Sequence, residues 1–468
     1  MIVNSPNELR KLTLTLALAS FSVGFALNAL VPSMTLVRQV FTSNVANTNW
    51  ALTASLLAAA VSLPITGRYG DSRGKKKVFQ LLLLIGILGS VLTTFSSSLA
   101  MLIVSRIFQG ISLGTVSLGM SILQDGADTG KRTRSIAIVG SGFGLGGAVA
   151  LPLAALLNQS DNWRGVFWVS AILLMISAYL SVESIPKRVL PATGRFDVLG
   201  SITLAIALIG IILAISKIVL DDWPKILVYG VLLTSSSLLV LWGLYEKRIS
   251  FPVVNIRELI KPSLLLTNCG SFFSSMSVFT FSVVVPQFLL SSVTTGAGLG
   301  TSYVTVGLCM MPVGLLMLVL SPIVARITHK FGANISFLYG TFVFALAFAF
   351  ALFAPLELWF FLVLAILLGI GSALSYSSMS ILAMRLVAPH QSGEAAGVNA
   401  VIQTLGAAIG STIVAGILTA SVELGKDAPG VGAYRLCFLV SLISAVLASL
   451  CIYKVDATGN LRNSNSIK

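Results

Sequence analysis

Arg106 lies inside the apolar run 99–121, where a guanidinium at the centre of a membrane helix costs about 2.5–3.5 kcal/mol. Such a group must find acceptors within a helix bundle. Two roles fit: a polarising or coupling group in a central cavity, or a hydrogen-bond hub that fixes the fold. Gln109, three residues on, shares its helical face. Asn28 is an amide in another apolar run and also needs a partner. With Tyr376 and Gln403 these residues make up the candidate substrate or coupling cavity. Phe25, Phe272, Phe273, Met276, Phe279, Met310, Met311 and Met379 offer adaptable apolar walls, although each alone reads more simply as packed or lipid-facing surface.

A second constellation is Gly67, Asp71, Arg73, Gly74 and Lys75, followed by Lys76, with Asp125 as a further acid at the end of the fourth run. An aspartate among basic residues can pair with them and with a helix N-terminus, so this group is a candidate gate cluster. The bland reading is a tight turn with topology-setting charge. A third is Gly140, Gly142, Gly144, Gly146 and Gly147 with Pro152, all in one run. Small residues let helix backbones approach in lipid, and proline frees a carbonyl, so Gly140, Gly144, Gly147 and Pro152 mark a candidate gating helix.

Other chemistry is missing. All sixteen acidic residues fall in loops or near the ends of apolar runs, none obviously placed to carry a proton at mid-membrane, so either a span-end acid such as Asp125 reaches a water-filled cavity or proton coupling is unusual or absent. There is no phosphate-binding G-x-x-x-x-G-K-[ST] sequence. His329 and His390 lie in loops, and Cys269, Cys309, Cys437 and Cys451 lack metal spacing. Neither an enzyme nor a cofactor is expected.

The elements that must hold these residues are membrane helices. The chain of 468 residues is 56% hydrophobic and 10% charged, against about 25% charged in soluble domains. Its mean hydropathy is +0.95. Apolar runs fall at 12–33, 49–67, 78–96, 99–121, 135–157, 165–184, 198–216, 226–245, 263–289, 301–325, 335–354, 358–382, 395–419 and 434–453, each long enough to cross a ~30 Å hydrocarbon core. With both termini on one side, 23 of the 30 basic residues collect there and six on the other, leaving Arg106 inside. The positive-inside rule then places both termini in the cytoplasm. The net charge of +14 is thereby topology, and nucleic acid is not an expected partner. Gly74 and Gly332 close similar loops 258 residues apart, and Leu145-Gly146-Gly147 matches Leu405-Gly406-Ala407 at an offset of 260. The repeat predicts two six-helix bundles, 12–184 and 263–453, with an inserted helix pair at 198–245.

These motifs resemble the major facilitator superfamily, in its fourteen-helix drug:proton antiporter branch. Gly67 to Lys76 resembles the G-x-x-x-D-x-x-G-[RK]-[RK] loop, and Arg106 to Gly110 the R-x-x-Q-G motif. Gly140 to Pro152 resembles the glycine-rich antiporter motif of helix five, and Trp163, Arg164 and Phe167 the W-R-x-x-F of helix six. Asp197 to Gly200 resembles the D-x-x-G that opens helix seven, and Gly393, Gly397, Asn399, Gln403 and Gly406 the start of helix thirteen. Three positions depart from the pattern. Val23 stands where the branch has an aspartate five residues before the asparagine Asn28, Leu151 precedes Pro152 where a glycine is usual, and His329 replaces the second-half aspartate.

The resemblance implies an all-α integral membrane protein of major facilitator fold with fourteen transmembrane helices. It also implies a multidrug efflux antiporter of the plasma (inner) membrane, working by alternating access, conferring antibiotic resistance and exchanging protons for an amphipathic small-molecule substrate. A monomer in the lipid bilayer is the expected state. The alternatives are an exporter of a metabolite or anionic compound, which Arg106 without an acid partner favours, and a non-transporting membrane receptor of the same fold.

Overall fold

The structure is a computed structural model. It describes residues 6–457 apart from 44, 127–128, 161, 187–196, 221–222, 250–251, 253, 292, 294–296, 388–391 and 422–428. Within these residues every regular element is a helix. The first part holds α1 (Pro6–Asn28), α2 (Met34–Val40), α3 (Val45–Arg73), α4 (Lys75–Thr94), α5 (Leu99–Ile111), α6 (Gly114–Gly126), α7 (Thr129–Asn158) and α8 (Gly165–Ser184). Then come α9 (Val198–Leu220), α10 (Lys225–Glu246) and the short α11 (Ile256–Leu259). The last part holds α12 (Pro262–Leu290), α13 (Tyr303–Val319), α14 (Ser321–Phe331), α15 (Ala333–Phe353), α16 (Leu358–Arg385), α17 (Ser392–Ala420) and α18 (Val431–Ala457). Among the described residues thirteen helical segments are long and apolar enough to span a membrane, and α13–α14, bent by 50°, makes a fourteenth if it is one span.

Boundaries depart from the apolar runs where proline or amphipathicity intervenes. The first helix stops at Asn28 and the chain continues as a 3-10 turn, Val31–Ser33, around Pro32, because proline lacks an N–H to donate. The tenth span does not end at 325. It bends near Pro322, and α14 carries on to Phe331. Likewise α3 runs past 67 to Arg73.

Both parts use one packing plan. In the first, α1 packs on α7, α3 on α5, and α4 on α8; in the second, α12 packs on α17, α13 on α16, and α15 on α18. Gly74, between α3 and α4, has φ +99°, and Gly332, between α14 and α15, has φ +98°. An L side chain is strained in this region, so each half needs glycine at the same turn. The end of the bundle carrying these two turns is here termed the basic end. The two halves meet along two seams: α7 against α13, α14 and α16, and α3 and α6 against α17.

Hydroxyl pairs tie helices within the first half: Thr13–Ser135 at 3.0 Å, Thr15–Ser184 at 2.9 Å, Ser22–Ser177 at 3.0 Å and Ser90–Ser170 at 2.9 Å. In lipid such bonds and close packing replace the hydrophobic drive between helices. The last half relies more on aromatic packing, with Phe288, Phe361 and Tyr434 in one cluster and Phe348, Phe360 and Phe438 beside it.

Candidate functional site

Arg106 is fully buried on α5. Its Nε donates to the Ala51 carbonyl at 3.2 Å, Nη1 to the Ala26 carbonyl at 3.0 Å, and Nη2 to the Leu27 carbonyl at 2.7 Å. Nη1 also donates to Gln109 Oε1, and Nη2 reaches Ser55 Oγ at 3.5 Å. Ala26 and Leu27 lie in the last turn of α1, just before its break, where carbonyls lack helical partners. The guanidinium fork therefore satisfies the end of α1 and links it to α3 and α5. Gln109 passes the network to α4 by donating to Ser90 Oγ and Thr93 Oγ1, both at 3.3 Å.

Asn28 stands beside this hub. Its Nδ2 donates back to the Gly24 carbonyl at 2.8 Å. A methyl on Gly147 of α7 would fall 2.8 Å from the same Nδ2. Asn28, Arg106 and Gln109 thus share one region of the first half. Tyr376 and Gln403 lie elsewhere. The Tyr376 ring on α16 stacks on Phe143 of α7, centroids 6.0 Å apart and planes 5° apart, across the seam between the halves. Gln403 on α17 donates to Asn399 Oδ1 at 2.6 Å, and Asn399 donates to Asn268 Oδ1 and Ser271 Oγ, both at 2.9 Å. This buried amide chain joins α17 to α12. Asn268 carried no motif in the sequence; an amide in the ninth apolar run was its only signal.

The candidate gate cluster is described in part. Gly67 lies within α3 and Gly74 forms the tight turn. Arg73 is exposed. Lys75 Nζ donates to Ser121 Oγ on α6 at 2.6 Å. Lys76 Nζ donates to the Val182 and Ile185 carbonyls at 2.6 and 2.5 Å, so it caps the end of α8, a placement that a helix C-terminus favours for a cation. The side chains of Asp71 and Asp125 lie outside the described residues.

The glycines of α7 divide into two rows. Gly142 and Gly146 face α1, where added methyls would meet the Ala17 and Phe21 carbonyl oxygens at 2.6 and 2.0 Å. Gly144 faces the other half, where a methyl would meet Met317 Sδ at 2.3 Å, and Gly140 sits between the halves, a methyl there lying 3.0 Å from both Ser377 Oγ of α16 and Met120 Cε of α6. Gly314 of α13 answers from the far side, its position for a methyl being 2.4 Å from both the Gly144 carbonyl oxygen and Ala148 Cβ. Pro152 lies against Gly307, whose methyl would meet the proline Cα at 2.8 Å. Next to that contact is an apolar pocket between the halves, lined by Pro32, Leu151, Pro286, Tyr303 and Met310 among others. Glycine and proline thus let α7 touch its own half on one face and the opposite half on the other.

The D-x-x-G that opens α9 has a local explanation. Asp197 Oδ1 accepts from the Gly200 backbone N–H at 2.9 Å, capping the helix. A methyl on Gly200 would collide with Asp197 Oδ2 at 2.3 Å and Glu246 Oε1 at 2.6 Å. Among the described residues no group of three or more histidines, cysteines or acids is arranged to hold a metal.

The Major Facilitator Superfamily model matches residues 16–256 and 267–468, and the chain belongs to that family. Its relatives are transporters. The uncharacterised MFS-type transporter YvkA of Bacillus subtilis (strain 168) is 24% identical over 97% of this chain and 98% of its own. The riboflavin transporter RibZ of Clostridioides difficile (strain 630) is 25% identical, covering 82% of this chain and 83% of its own. The multidrug resistance protein Stp of Mycobacterium tuberculosis (strain ATCC 25618 / H37Rv) is 22% identical, covering 84% and 73%. A crystal structure of the human organic anion transporter MFSD10 (TETRAN) shares the fold, with TM-score 0.67 at 17% identity over 96% of this chain and all of that one. The protein is thus a multi-pass membrane transporter of the major facilitator fold, not an enzyme.

Proposed function

We propose that this transporter exports amphipathic, drug-like compounds of low charge from the cytoplasm by alternating access, the two halves rocking about the seams that join them. The observation that carries the proposal is the two-faced α7. Its Gly140 and Gly144 and its Pro152 bring α7 of one half into close approach with Gly307, Gly314 and Ser377 of the other, with Phe143 and Tyr376 stacked across the same seam, a contact that can part and re-form. The basic end is placed in the cytoplasm on the charge asymmetry of the sequence, in the inner membrane of the cell, and the working unit is a monomer.

Two features bear on cargo. The guanidinium of Arg106 is spent on protein acceptors, which leaves little for an anion. The acidic side chains described all lie away from the α7 seam, in loops or at helix ends. Both favour a cargo of low charge, and the multidrug resistance protein among the relatives supports a drug-like one. The proton gradient is the proposed drive, since the sequence carries no nucleotide-binding motif. A metabolite exporter is the second reading, supported by the riboflavin transporter among the relatives.

Everted membrane vesicles holding the protein, energised by respiration, test the proposal with one neutral and one cationic fluorescent dye. Protein-dependent uptake of the neutral dye that collapses with a protonophore is the expected result. Uptake absent for both dyes would overturn drug export in favour of the metabolite. Uptake indifferent to the protonophore would remove proton coupling.

A further inference from the structure

The inserted pair α9–α10 lies on the seam between the halves. Helix α9 packs against α3 of the first half and α17 of the second, while α10 packs mainly on α9. Leu204 and Leu208 of α9 share one apolar cluster with Leu63 of α3 and Val398 and Val401 of α17. Nearer the opposite end, Ile212 shares another with Leu57 and Ala60. The pair itself is tightly joined: a methyl on Gly210 of α9 would fall 1.9 Å from Ser235 Oγ of α10. It is therefore closely packed as a pair, and α9 lies over the α3–α17 seam.

The two sides of this contact differ in kind. Towards α17 it is apolar, through Val398 and Val401. Towards α3 it includes Lys217, a lysine only 6% exposed. Its Nζ lies 5.5 Å from the ring centre of Trp50 on α3 and 5.3 Å from that of Trp223 in the turn after α9. An ammonium held over indole faces in a dry setting is attracted to both, and sliding it away from Trp50 forfeits that attraction on the α3 side. Aliphatic side chains sliding over one another meet no such penalty.

We infer that α9–α10 is a strap fastened to the first half through Lys217 and Trp50, and that it slides over α17 as the halves rock. Lys217 is a positioning residue in this scheme. It touches no cargo and keeps the strap registered on α3, so that the α3–α17 seam stays sealed from lipid in both states. The inference rests on the alternating-access reading and gives the inserted helices a task within it.

The test uses the full-length protein in nanodiscs, with its native cysteines replaced and spin labels at exposed positions: Phe95 for the first half, Leu436 for the second and Ile218 for the strap. Two wedge variants set the states. Gly307→Trp props the seam open at the end opposite the basic one, and Gly140→Trp props it open near Tyr376. Both act on the α7 seam, away from the strap. The expected result is that the Phe95–Leu436 and Ile218–Leu436 distances change together between the variants while Ile218–Phe95 stays fixed. Lys217→Met, which keeps the length and removes the charge, then broadens the Ile218–Phe95 distribution. An Ile218–Leu436 distance that stays fixed while Ile218–Phe95 changes would overturn the strap and leave the export reading standing. A Phe95–Leu436 distance identical in both variants would overturn both.

Discussion

Arg106 shows what a single residue does here and how far it could be read in advance. Its spacing from Gln109 was legible, because i and i+3 share a helical face, and the two side chains do meet. Its acceptors were not, because the carbonyls of Ala26, Leu27 and Ala51 belong to residues whose side chains advertise nothing. Replacing Arg106 by Lys keeps the charge but cannot reach all three carbonyls. Each buried carbonyl left unpaired costs about 1–3 kcal/mol, so Arg106→Lys is expected to lower the thermal midpoint of the detergent-solubilised protein clearly, with expression falling alongside. A variant of unchanged midpoint that had lost transport would instead place Arg106 in the cargo path. The amide chain gives a parallel case. Asn399→Leu removes both donors to Asn268 and Ser271 and the acceptor of Gln403, at a cost of about 1–3 kcal/mol. The same melting experiment reads it; an unshifted midpoint would mean that the chain is not a structural tie.

At the scale of the helix, α7 carries most of the argument. The density of glycine was visible in the sequence, and the i, i+4 spacing of Gly142 with Gly146 and of Gly140 with Gly144 already divides it into two rows. Which row faced the partner half was not visible, since packing within a half and packing between halves ask for the same small side chains. The two rows predict different failures. Gly146→Ala places a methyl 2.0 Å from the Phe21 carbonyl oxygen within one half, and backbone cannot step aside cheaply. Loss of stability is expected, read as a lower midpoint. Gly314→Ala places its methyl 2.4 Å from the Gly144 carbonyl oxygen across the seam. The halves can respond by parting, so the midpoint is expected to hold while a cysteine at Gly307 or Tyr303 becomes more reactive towards a thiol reagent. Equal loss of stability in both variants would contradict the division. The bend of the tenth span escaped the sequence reading because hydropathy sees no corners, although Pro322 at the start of α14 was its signal.

For the whole molecule, charge and hydropathy were enough to count spans, because a helix crossing lipid has no other way to satisfy its backbone. The internal repeat was legible at Gly74 and Gly332, and the matching φ of +99° and +98° gives it a physical cause. The location of α9–α10 was not legible, since an apolar side chain facing lipid looks the same in sequence as one facing protein. The halves are also not chemical copies. The first is tied by Arg106 and hydroxyl pairs, the second by amides and aromatic rings, so the polar ties of one could not be transferred to the other as the glycine turns could.

The central claim is that the halves part and close along α7 as cargo crosses, and one measurement tests it most directly. A methyl on Gly140 would lie 3.0 Å from Ser377 Oγ, within the reach that a disulfide requires. The Gly140→Cys, Ser377→Cys pair, in a background lacking the native cysteines, is to be oxidised and reduced in proteoliposomes while flux of the neutral dye is followed. The account predicts that flux stops when the cross-link forms and returns when it is reduced, with each single variant unaffected by either treatment. Flux continuing undiminished through fully cross-linked protein would contradict it.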